Sequence, residues 1–306
     1  RHRLLMSTIG TIGLHKLSPR LLFVFMFFLV SVHASAQNIS VVDDEDTVVT
    51  LSEPATRIIS LAPALTELLF SIDAGNRIEG VVEFSDFPPA ALTIPIIGRH
   101  DRLDMERIIE IDPDLILAWV TGNPRGSVAR LKEMGYTVFM AETQALEDIP
   151  SLIEKLGRLT AEDNKAQDVA NDFRNQYQSL QSVYGSRPIL STFYQIWNAP
   201  LISVGGDELI NDIIELCGGR NIFADIQQKA PKVSEEAVLN RNPEIIVASG
   251  ADDQRPAWLD DWKEWNGLTA GAQESLFFVP PDLVMRPTLR ALQGAEMLCE
   301  QIDSAR

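Results

Sequence analysis

Residues 161–184 read AEDNKAQDVANDFRNQYQSLQSVY, and this stretch decides the fold. It contains no glycine or proline and is followed by Gly185. Thr160 is the predicted N-cap, with Asp163 in the capping-box position. At 1.5 Å per residue such a helix is about 36 Å long, which predicts a rigid backbone joining two lobes; the alternative is an ordinary long surface helix. The apolar residues recur every three or four positions, on one helical face: Ala166, Val169, Ala170, Phe173, Tyr177, Leu180 and Tyr184.

The sequence on either side of this stretch repeats one pattern. Residues 104–118 read DMERIIEIDPDLILA, and residues 234–248 read SEEAVLNRNPEIIVA. Each segment has a capping residue, a glutamate, a short apolar helix, a proline, an acidic residue and an apolar strand. Helix–proline–strand segments are common, but the shared glutamates, prolines and alanines indicate an internal duplication. We therefore predict two lobes built on one plan.

Strands alternate with helices in both halves, which is typical of a parallel sheet with helices on both faces. The predicted fold class is therefore α/β with mainly parallel sheets. The N-terminal lobe is expected at 37–157, the connecting helix at 158–185 and the C-terminal lobe at 186–306. Predicted strands are 57–61, 78–82, 115–119, 136–140, 189–194, 245–248 and 276–279, and predicted helices include 64–74, 207–216, a tryptophan-rich helix from Pro256 and a closing helix at 287–302.

Residues 1–36 are predicted to be a signal peptide that is not part of the fold. The basic residues His15, Lys16 and Arg20 precede an apolar run at 21–32 and a small-residue cleavage pattern, ASA, at 34–36. The apolar run is shorter than the ~20 residues that cross a bilayer, so no retained anchor is expected. The mature protein is expected to begin near Gln37 and to be exported in soluble form.

The chain is acidic, with a formal net charge of −17 and 43 Asp and Glu residues. Nucleic acids and anionic membrane surfaces bind basic protein surfaces, so both partners are disfavoured. A basic protein partner suits this charge better.

Cys217 and Cys299 are the only cysteines. In an oxidising compartment two distant cysteines are expected to pair, and the alternative is two buried thiols. Closing a loop of about 80 residues stabilises a fold by roughly 4–5 kcal/mol in the chain-entropy model.

The residues offer little support for catalysis. Outside the predicted leader, His100 is the only histidine. A protein-built zinc site takes several His or Cys ligands, and a Ser-His-Asp triad needs a histidine beside a nucleophile. No P-loop or dinucleotide-binding glycine motif follows a predicted strand. We therefore predict no enzyme activity, no protein-held metal and no cofactor.

Aromatic residues stand where predicted strands give way to loops, the position at which α/β sheets contact ligands. Phe84, Trp119 and Trp197 are in this position. Such side chains, with a few placed polar groups, hold flat or bulky apolar ligands, and the alternative for each is core packing. Core packing is the favoured interpretation for Trp258, Trp262 and Trp265.

Four stretches carry a family resemblance: RIISLAP at 57–63, FSDFPP at 84–89, MER…PDLILAW between 105 and 119, and ELCGGRNIF at 215–223. With them the sequence resembles the periplasmic binding proteins with a helical backbone, and among these the cobalamin-binding components of vitamin importers. The resemblance covers nearly the whole chain after the leader. It implies two Rossmann-like lobes with mainly parallel sheets joined by one long backbone α-helix. It also implies that cobalamin is bound between the lobes and handed to an ABC-type import permease.

The resemblance implies a ligand set as well. Phe84 and Trp119 match aromatic contacts of the family, whereas His100, Ile202 and Ala230 stand where the family has further pocket aromatics. His100 is expected to be a polar wall residue in preference to an axial ligand of cobalt or iron. The predicted ligand-binding residues are Ala64, Phe84, His100, Trp119, Trp197, Ile202, Gly205, Ala230, Asp282 and Arg286.

Glu106 and Glu236 match the two glutamates with which the family docks on arginines of the permease, and Cys217 and Cys299 match the family's disulfide. The two glutamates also stand at equivalent points of the internal repeat, which suits a two-fold partner. The alternative is that acids in a first helical turn complement the helix dipole, worth about 0.3–1 kcal/mol each.

Three other functions stay open. Haem or a ferric siderophore could occupy the same cleft, although anionic siderophores favour a basic pocket. A cleft enzyme or a metallocluster chaperone would need a thiolate or a general base. A receptor that acts only in signalling would not need Glu106 and Glu236. The protein is expected to act as a monomer.

Overall fold

A computed structural model describes residues 38–306, and the predicted signal peptide at 1–36 lies outside the described residues. In this described part no helix is both long enough and apolar enough to span a bilayer. The strands are β1 (Ile39–Val42), β2 (Val48–Leu51), β3 (Ile58–Ser60), β4 (Ile78–Val81), β5 (Gly98–Arg99), β6 (Arg102–Leu103), β7 (Leu115–Trp119), β8 (Val138–Ala141), β9 (Leu190–Gln195), β10 (Trp197–Asn198), β11 (Leu201–Ile202), β12 (Gly219–Asn221), β13 (Ile245–Ala248) and β14 (Leu276–Phe278).

Ten α-helices accompany these strands in residues 38–306. They are α1 (Pro63–Ser71), α2 (Met105–Ile111), α3 (Arg125–Glu133), α4 (Asp148–Thr160), α5 (Asp163–Tyr184), α6 (Leu209–Leu216), α7 (Glu235–Arg241), α8 (Thr269–Ala272), α9 (Pro281–Val284) and α10 (Ala291–Ser304). Short 3₁₀ segments lie at Gly75–Arg77, Pro89–Thr93 and Ala257–Glu264.

Two four-stranded parallel sheets form the two lobes, which confirms the predicted α/β class. The first sheet has the order β4-β3-β7-β8 and the second β12-β9-β13-β14. Within each lobe the strands therefore run second, first, third, fourth. This shared topology confirms the predicted internal duplication. The lobe boundaries at 157 and 186 stay a prediction.

The repeated segments fold alike in detail. The Asp104 carboxylate accepts a hydrogen bond from the Arg107 amide at 3.0 Å and caps α2, and the Ser234 hydroxyl accepts one from the Ala237 amide at 3.1 Å and caps α7. Both helices end on a residue in the left-handed conformation, where Asn and Asp are tolerated. These residues are Asp112 and Asn242.

The acid after each repeated proline holds the start of the neighbouring strand. Asp114 accepts from the Arg57 amide at 3.1 Å, beside β3, and Glu244 accepts from the Ser191 amide at 2.7 Å, in β9. Since β3 and β9 are the central strands to which β7 and β13 pair, these bonds fix the register of both sheets.

Helix α5 is the predicted backbone helix, and it packs against α4 on one side and against α10 and α6 on the other. Ala166, Ala170 and Phe173 are buried, and Val169, Tyr177, Leu180 and Tyr184 pack partly buried on the same core. The predicted apolar face is therefore confirmed, and its core cluster is continuous from the first lobe to the second.

The predicted start of this helix is wrong. Thr160 is the last residue of α4, where its hydroxyl donates back to the Leu156 carbonyl at 2.8 Å, and Glu162 is the N-cap of α5. Between them Ala161 adopts a left-handed conformation with φ of 56°. The segment therefore contains a helix–turn–helix, because α4 ends where one long helix was expected to begin.

Helix α4 and the β1–β2 hairpin were not predicted. Pro150 interrupts the helical pattern of α4 in the sequence, but it lies in the first turn, where its missing amide proton is tolerated. The Trp-rich segment is 3₁₀ helix in place of the predicted α-helix, with Trp262 buried and Trp265 exposed. The closing helix predicted at 287–302 is α10, which begins at Ala291, and the short α9 before it was not predicted.

Cys217 at the end of α6 and Cys299 in α10 form a disulfide, as predicted. Both residues are fully buried. The bond joins two helices that also contact each other and the backbone helix. It therefore links the C-terminal helix to the part of the core shared by both lobes.

Asp212 in α6 lies at the junction of the lobes, where its carboxylate accepts a hydrogen bond from the Leu146 amide at 2.8 Å. Burial raises the pKa of this carboxyl, and the nearby Glu147 and Glu215 add to the effect, whereas the Leu146 bond opposes it. A carboxyl with a raised pKa favours folding when it is neutral, so its contribution is lost as the pH rises through that pKa.

We expect Asp212→Asn to be more stable than the parent protein at pH 7, because the amide keeps an acceptor for Leu146 and removes a partly buried charge. The advantage should shrink as the pH falls toward 3, where Asp212 is itself neutral. Urea unfolding between pH 3 and 8 measures this, with the exposed helical Asp168→Asn as the matched control. A variant that is less stable than the parent at pH 7 would contradict the assignment.

Candidate functional site

A cleft of about 400 Å³ lies between the lobes, where the carboxyl ends of both sheets face each other. This is the position at which open α/β sheets bind ligands. The volume is within the range of small-molecule sites. The first lobe supplies Ala62, Pro63, Ala64, Leu65, Glu83, Phe84, His100, Trp119, Ala141, Glu142, Thr143 and Leu152, and the second supplies Glu208, Leu209, Lys229, Pro281, Asp282, Met285, Arg286 and Pro287.

Trp119 is the last residue of β7, and its side chain is 39% exposed on the cleft wall. The turn after it lies directly against the indole, because a Cβ added to Gly122 would come within 1.8 Å of Trp119 Cε3. Only glycine fits there without moving the ring. The His100 ring is 6.4 Å away, centroid to centroid, and tilted by 43°. The two rings form one continuous aromatic surface.

Buried Asn123 fixes the loops that carry this surface. Its Oδ1 accepts from the Trp119 amide at 2.6 Å, and its Nδ2 donates to the carbonyls of Leu61 at 2.9 Å and His100 at 3.0 Å. One side chain therefore ties together the ends of β3 and β7 and the β5–β6 turn. Sequence reasoning did not identify Asn123 as a site residue, although the Thr-Gly-Asn-Pro turn that contains it was visible.

Phe84 projects from the loop after β4 and is 68% exposed. Its backbone is in the left-handed region with φ of 67°, which costs a non-glycine residue roughly 1–2 kcal/mol. The adjacent Ser85 is buried, and the Thr66 hydroxyl donates to the Ser60 hydroxyl at 2.9 Å and lies 3.4 Å from the Ser85 hydroxyl. A strained, exposed aromatic held by a buried polar network indicates a ligand contact.

On the second lobe, Arg286 lies across the cleft from α1. It donates to Asp86 at 2.8 Å and to Glu67 at 3.1 Å, both in the first lobe, and pairs with Asp282 at 3.1 Å. Burial opposes the charged form of Arg286, but these carboxylates outweigh it and raise its pKa. Burial also raises the pKa of Asp282, and Arg286 partly offsets that shift.

Arg290 strengthens the same rim of the cleft. It binds the buried Glu67 carboxylate through two donors, Nε at 3.0 Å and Nη2 at 2.6 Å. Its guanidinium also stacks over the Phe87 ring at 4.1 Å from the centroid. A bidentate arginine–carboxylate pair is geometrically specific, so this contact fixes the relative position of the lobes at this edge.

At the opposite rim Lys229 bridges the lobes. Its ammonium lies 2.8 Å from Glu142 of the first lobe and 2.9 Å from Glu208 of the second. Burial would lower the pKa of Lys229, but hydrogen bonds to the two carboxylates raise it. Glu142 is fixed in turn by the Thr121 hydroxyl at 3.0 Å. Sequence reasoning missed Lys229, Glu142 and Glu208, since single charges in an acidic chain give no pattern.

The cleft brings together six of the predicted ligand-binding residues and leaves out four. Trp197 and Ile202 face each other in the β10–β11 hairpin. Gly205 lies under the loop at 224–230, where a Cβ would come within 2.3 Å of the Gln228 carbonyl, and Ala230 is exposed beside Lys229. A direct ligand contact by these four residues stays a prediction. The six that line the cleft are Ala64, Phe84, His100, Trp119, Asp282 and Arg286.

Glu106 and Glu236 are exposed and lie in the first turns of α2 and α7. They occupy equivalent positions in the two repeats, two residues after the caps Asp104 and Ser234. The cleft lies at the carboxyl ends of the strands, whereas both glutamates belong to helices that precede β7 and β13 in the chain. Neither glutamate lines the cleft.

The sequence profile described as Periplasmic binding protein matches residues 58–283, which include both sheets and most of the cleft lining. The chain belongs to the periplasmic binding protein family. The family is one of solute-binding proteins. The fold, the duplicated lobes and the interlobe cleft described above are the structural form of that family in this chain.

Related sequences and solved structures agree with this family assignment. The Vitamin B12-binding protein of Vibrio cholerae serotype O1 is 35% identical over 254 residues, which cover 83% of this chain and 91% of that protein. The crystal structure of a periplasmic vitamin B12-binding protein of Vibrio cholerae has a TM-score of 0.77 at 34% identity and covers 82% of this chain and 98% of its own. The periplasmic haem-binding protein of Vibrio cholerae has a TM-score of 0.70 at 20% identity, covering 81% and 98%, and shares the fold alone.

We expect Asn123→Ala to destabilise the protein by about 2–3 kcal/mol, because it leaves one amide and two carbonyls without their partner. It should also change the tryptophan fluorescence of the folded protein, since Trp119 loses its anchor. Urea unfolding and emission spectra measure the two effects, and the exposed Asn164→Ala in α5 is the control. Equal stability of the two variants would show that Asn123 does not hold the three loops.

Proposed function

We propose that this protein is a periplasmic receptor that captures cobalamin, or a related corrinoid, in the interlobe cleft and delivers it to an ABC-type import permease. The observation that carries the proposal is the aromatic pair Phe84 and Trp119 on the cleft wall of a chain whose relatives are named vitamin B12-binding proteins. Cobalamin is the transported ligand, and the receptor uses no cofactor. The exported chain acts in the periplasm.

The lining of the cleft suits a flat ligand with polar groups at its edge. Trp119 and His100 offer ring surface on one wall, and Phe84 projects from the adjacent loop. Apolar ring contacts supply most of the burial, and the polar groups of Asp282 and Arg286 on the second lobe fix orientation. A corrin ring carries amide side chains around its edge, and these amides can donate to carboxylates such as Asp282.

A haem or siderophore receptor is the alternative within the family, since a haem-binding protein shares the fold. An enzyme or metallocluster chaperone is disfavoured on chemical grounds. Cys217 and Cys299 are joined in a disulfide, so they offer no thiolate, and His100 is the single histidine among the described residues.

Cyanocobalamin should bind the purified protein at micromolar concentration or below, and more tightly than haemin or a ferric hydroxamate. Trp119→Ala and Phe84→Ala should each weaken binding about tenfold, the equivalent of ~1.4 kcal/mol for one lost aromatic contact. Calorimetry and absorbance titrations measure both. Trp265→Ala is the control for Trp119, because both indoles are 39% exposed and Trp265 lies outside the cleft. Absence of cobalamin binding at micromolar concentration would refute the assignment.

Glu106 and Glu236 are proposed to dock on basic residues of the permease. They are exposed, lie outside the cleft and occupy equivalent positions of the two lobes, so a two-fold permease can contact both in the same way. One copy of the receptor, acting as a monomer, supplies both contacts.

The variant Glu106→Ala/Glu236→Ala should abolish cobalamin uptake by cells while ligand affinity stays unchanged, because the changed residues lie outside the cleft. Radiolabelled uptake and calorimetry separate the two effects. Glu133→Ala/Glu300→Ala removes one exposed carboxylate from each lobe elsewhere on the surface and is the matched control. Normal uptake by the Glu106/Glu236 variant would contradict docking and would leave a signalling receptor as the alternative.

A further inference from the structure

The charged side chains that line the cleft are mostly acidic. Four carboxylates and two cations face it: Glu83, Glu142, Glu208 and Asp282, with Lys229 and Arg286. The affinity of the cleft for an anionic ligand therefore depends on whether the two cations are free to bind it. The structure shows that both are already occupied by carboxylates of the protein.

Lys229 is neutralised from two sides. Glu142 and Glu208 lie 2.8 Å and 2.9 Å from its ammonium, one from each lobe, and Glu142 is also held by Thr121. The side chain of Lys229 is 38% exposed, against 14% for Glu142 and 22% for Glu208. The carboxylates are thus more enclosed than the cation that they hold.

Arg286 is similarly occupied. Asp86, Glu67 and Asp282 lie within 3.1 Å of its guanidinium nitrogens. Arg290 neutralises Glu67 from the outer side, which leaves Asp86 and Asp282 to share one guanidinium. This rim therefore carries no surplus positive charge, and the cleft as a whole is anionic.

We propose that Glu142 and Glu208 are specificity-determining residues that mask Lys229, so that the cleft accepts a corrin ring with amide side chains and rejects rings or chelates with carboxylates. This inference rests on the proposed function and names the chemical class of its ligand. A carboxylate entering the cleft meets like charges without a free cation, which costs affinity. An amide instead donates hydrogen bonds to the protein carboxylates.

Two corrinoids with the same ring and the same axial ligands, but different side chains, test the proposal. Dicyanocobinamide carries amides where dicyanocobyrinic acid carries carboxylates. We expect the parent protein to bind the amide form roughly 100-fold more tightly at pH 7.5, as measured by absorbance titration and calorimetry.

The variant Glu142→Gln/Glu208→Gln should narrow this ratio at least about tenfold, because it frees the Lys229 ammonium for a ligand carboxylate. Adding Lys229→Met to that variant should widen the ratio again, which assigns the gain to Lys229. Glu133→Gln/Glu300→Gln makes the same change in net charge at exposed positions and should leave the ratio unaltered. Circular dichroism and urea midpoints verify folding, and the single variants Glu142→Gln and Glu208→Gln replace the double variant where it does not fold.

Equal binding of the two corrinoids by the parent protein would overturn the masking, as would an unaltered ratio in the folded Glu142/Glu208 variant. A ratio that stays narrow after Lys229→Met would also overturn it. If the parent protein binds neither corrinoid, cyanocobalamin decides the proposed function, which is wrong if that ligand does not bind either. The masking of Lys229 is then tested with haemin, which carries two carboxylates. The affinity of the Glu142/Glu208 variant for haemin should be at least about tenfold higher than that of the parent protein. An unchanged affinity refutes the inference.

Discussion

The close packing of α4 on α5 fixes the distance between the lobes, and the cleft depends on that distance. Gly157 lies against Ala166, where an added Cβ would come within 2.3 Å of the alanine methyl group. Further along, the Arg174 guanidinium binds Glu154 at 2.6 Å and lowers the pKa of that carboxyl. Helix α5 is mostly polar, so tertiary packing holds it in place more than its own helical propensity. Because its apolar face contributes to one core shared by both lobes, bending it would disturb that core.

The duplication explains where the cleft lies but not what it binds. Both lobes repeat the strand order, the helix caps and the acid that fixes the central strand, and these repeated features set the scaffold. The lining is not repeated. The first lobe presents the aromatic side chains Phe84 and Trp119, whereas the second presents Asp282, Arg286 and Lys229. The aromatic side chains of the lining therefore come from the first lobe, and its two cations come from the second.

The sequence was sufficient for features that repeat or follow a period. The apolar face of α5 and the paired segments around α2 and α7 leave such signals, and the disulfide followed from the presence of two cysteines in an exported chain. Features that depend on distant contacts were missed. Thr160 reads as a helix start, yet the αL turn at Ala161 that separates α4 from α5 is set by their packing. Asn123 matters because it reaches Leu61 and His100, and Lys229 because it reaches Glu142. No local pattern encodes these pairings.

The two rims of the cleft differ in how readily they can open. Glu67 is only 4% exposed in its side chain, and separating it from Arg290 would leave a buried charge unpaired, which typically costs ~3–5 kcal/mol. At the other rim the Lys229 side chain is 38% exposed, so its ammonium can be hydrated when it leaves Glu142, which is itself 14% exposed. Helix α5 is also held firmly, because removing the packing of its buried Phe173 side chain would cost about 3–5 kcal/mol. Helix α5 and the Glu67 rim are therefore held more firmly than the Lys229 rim.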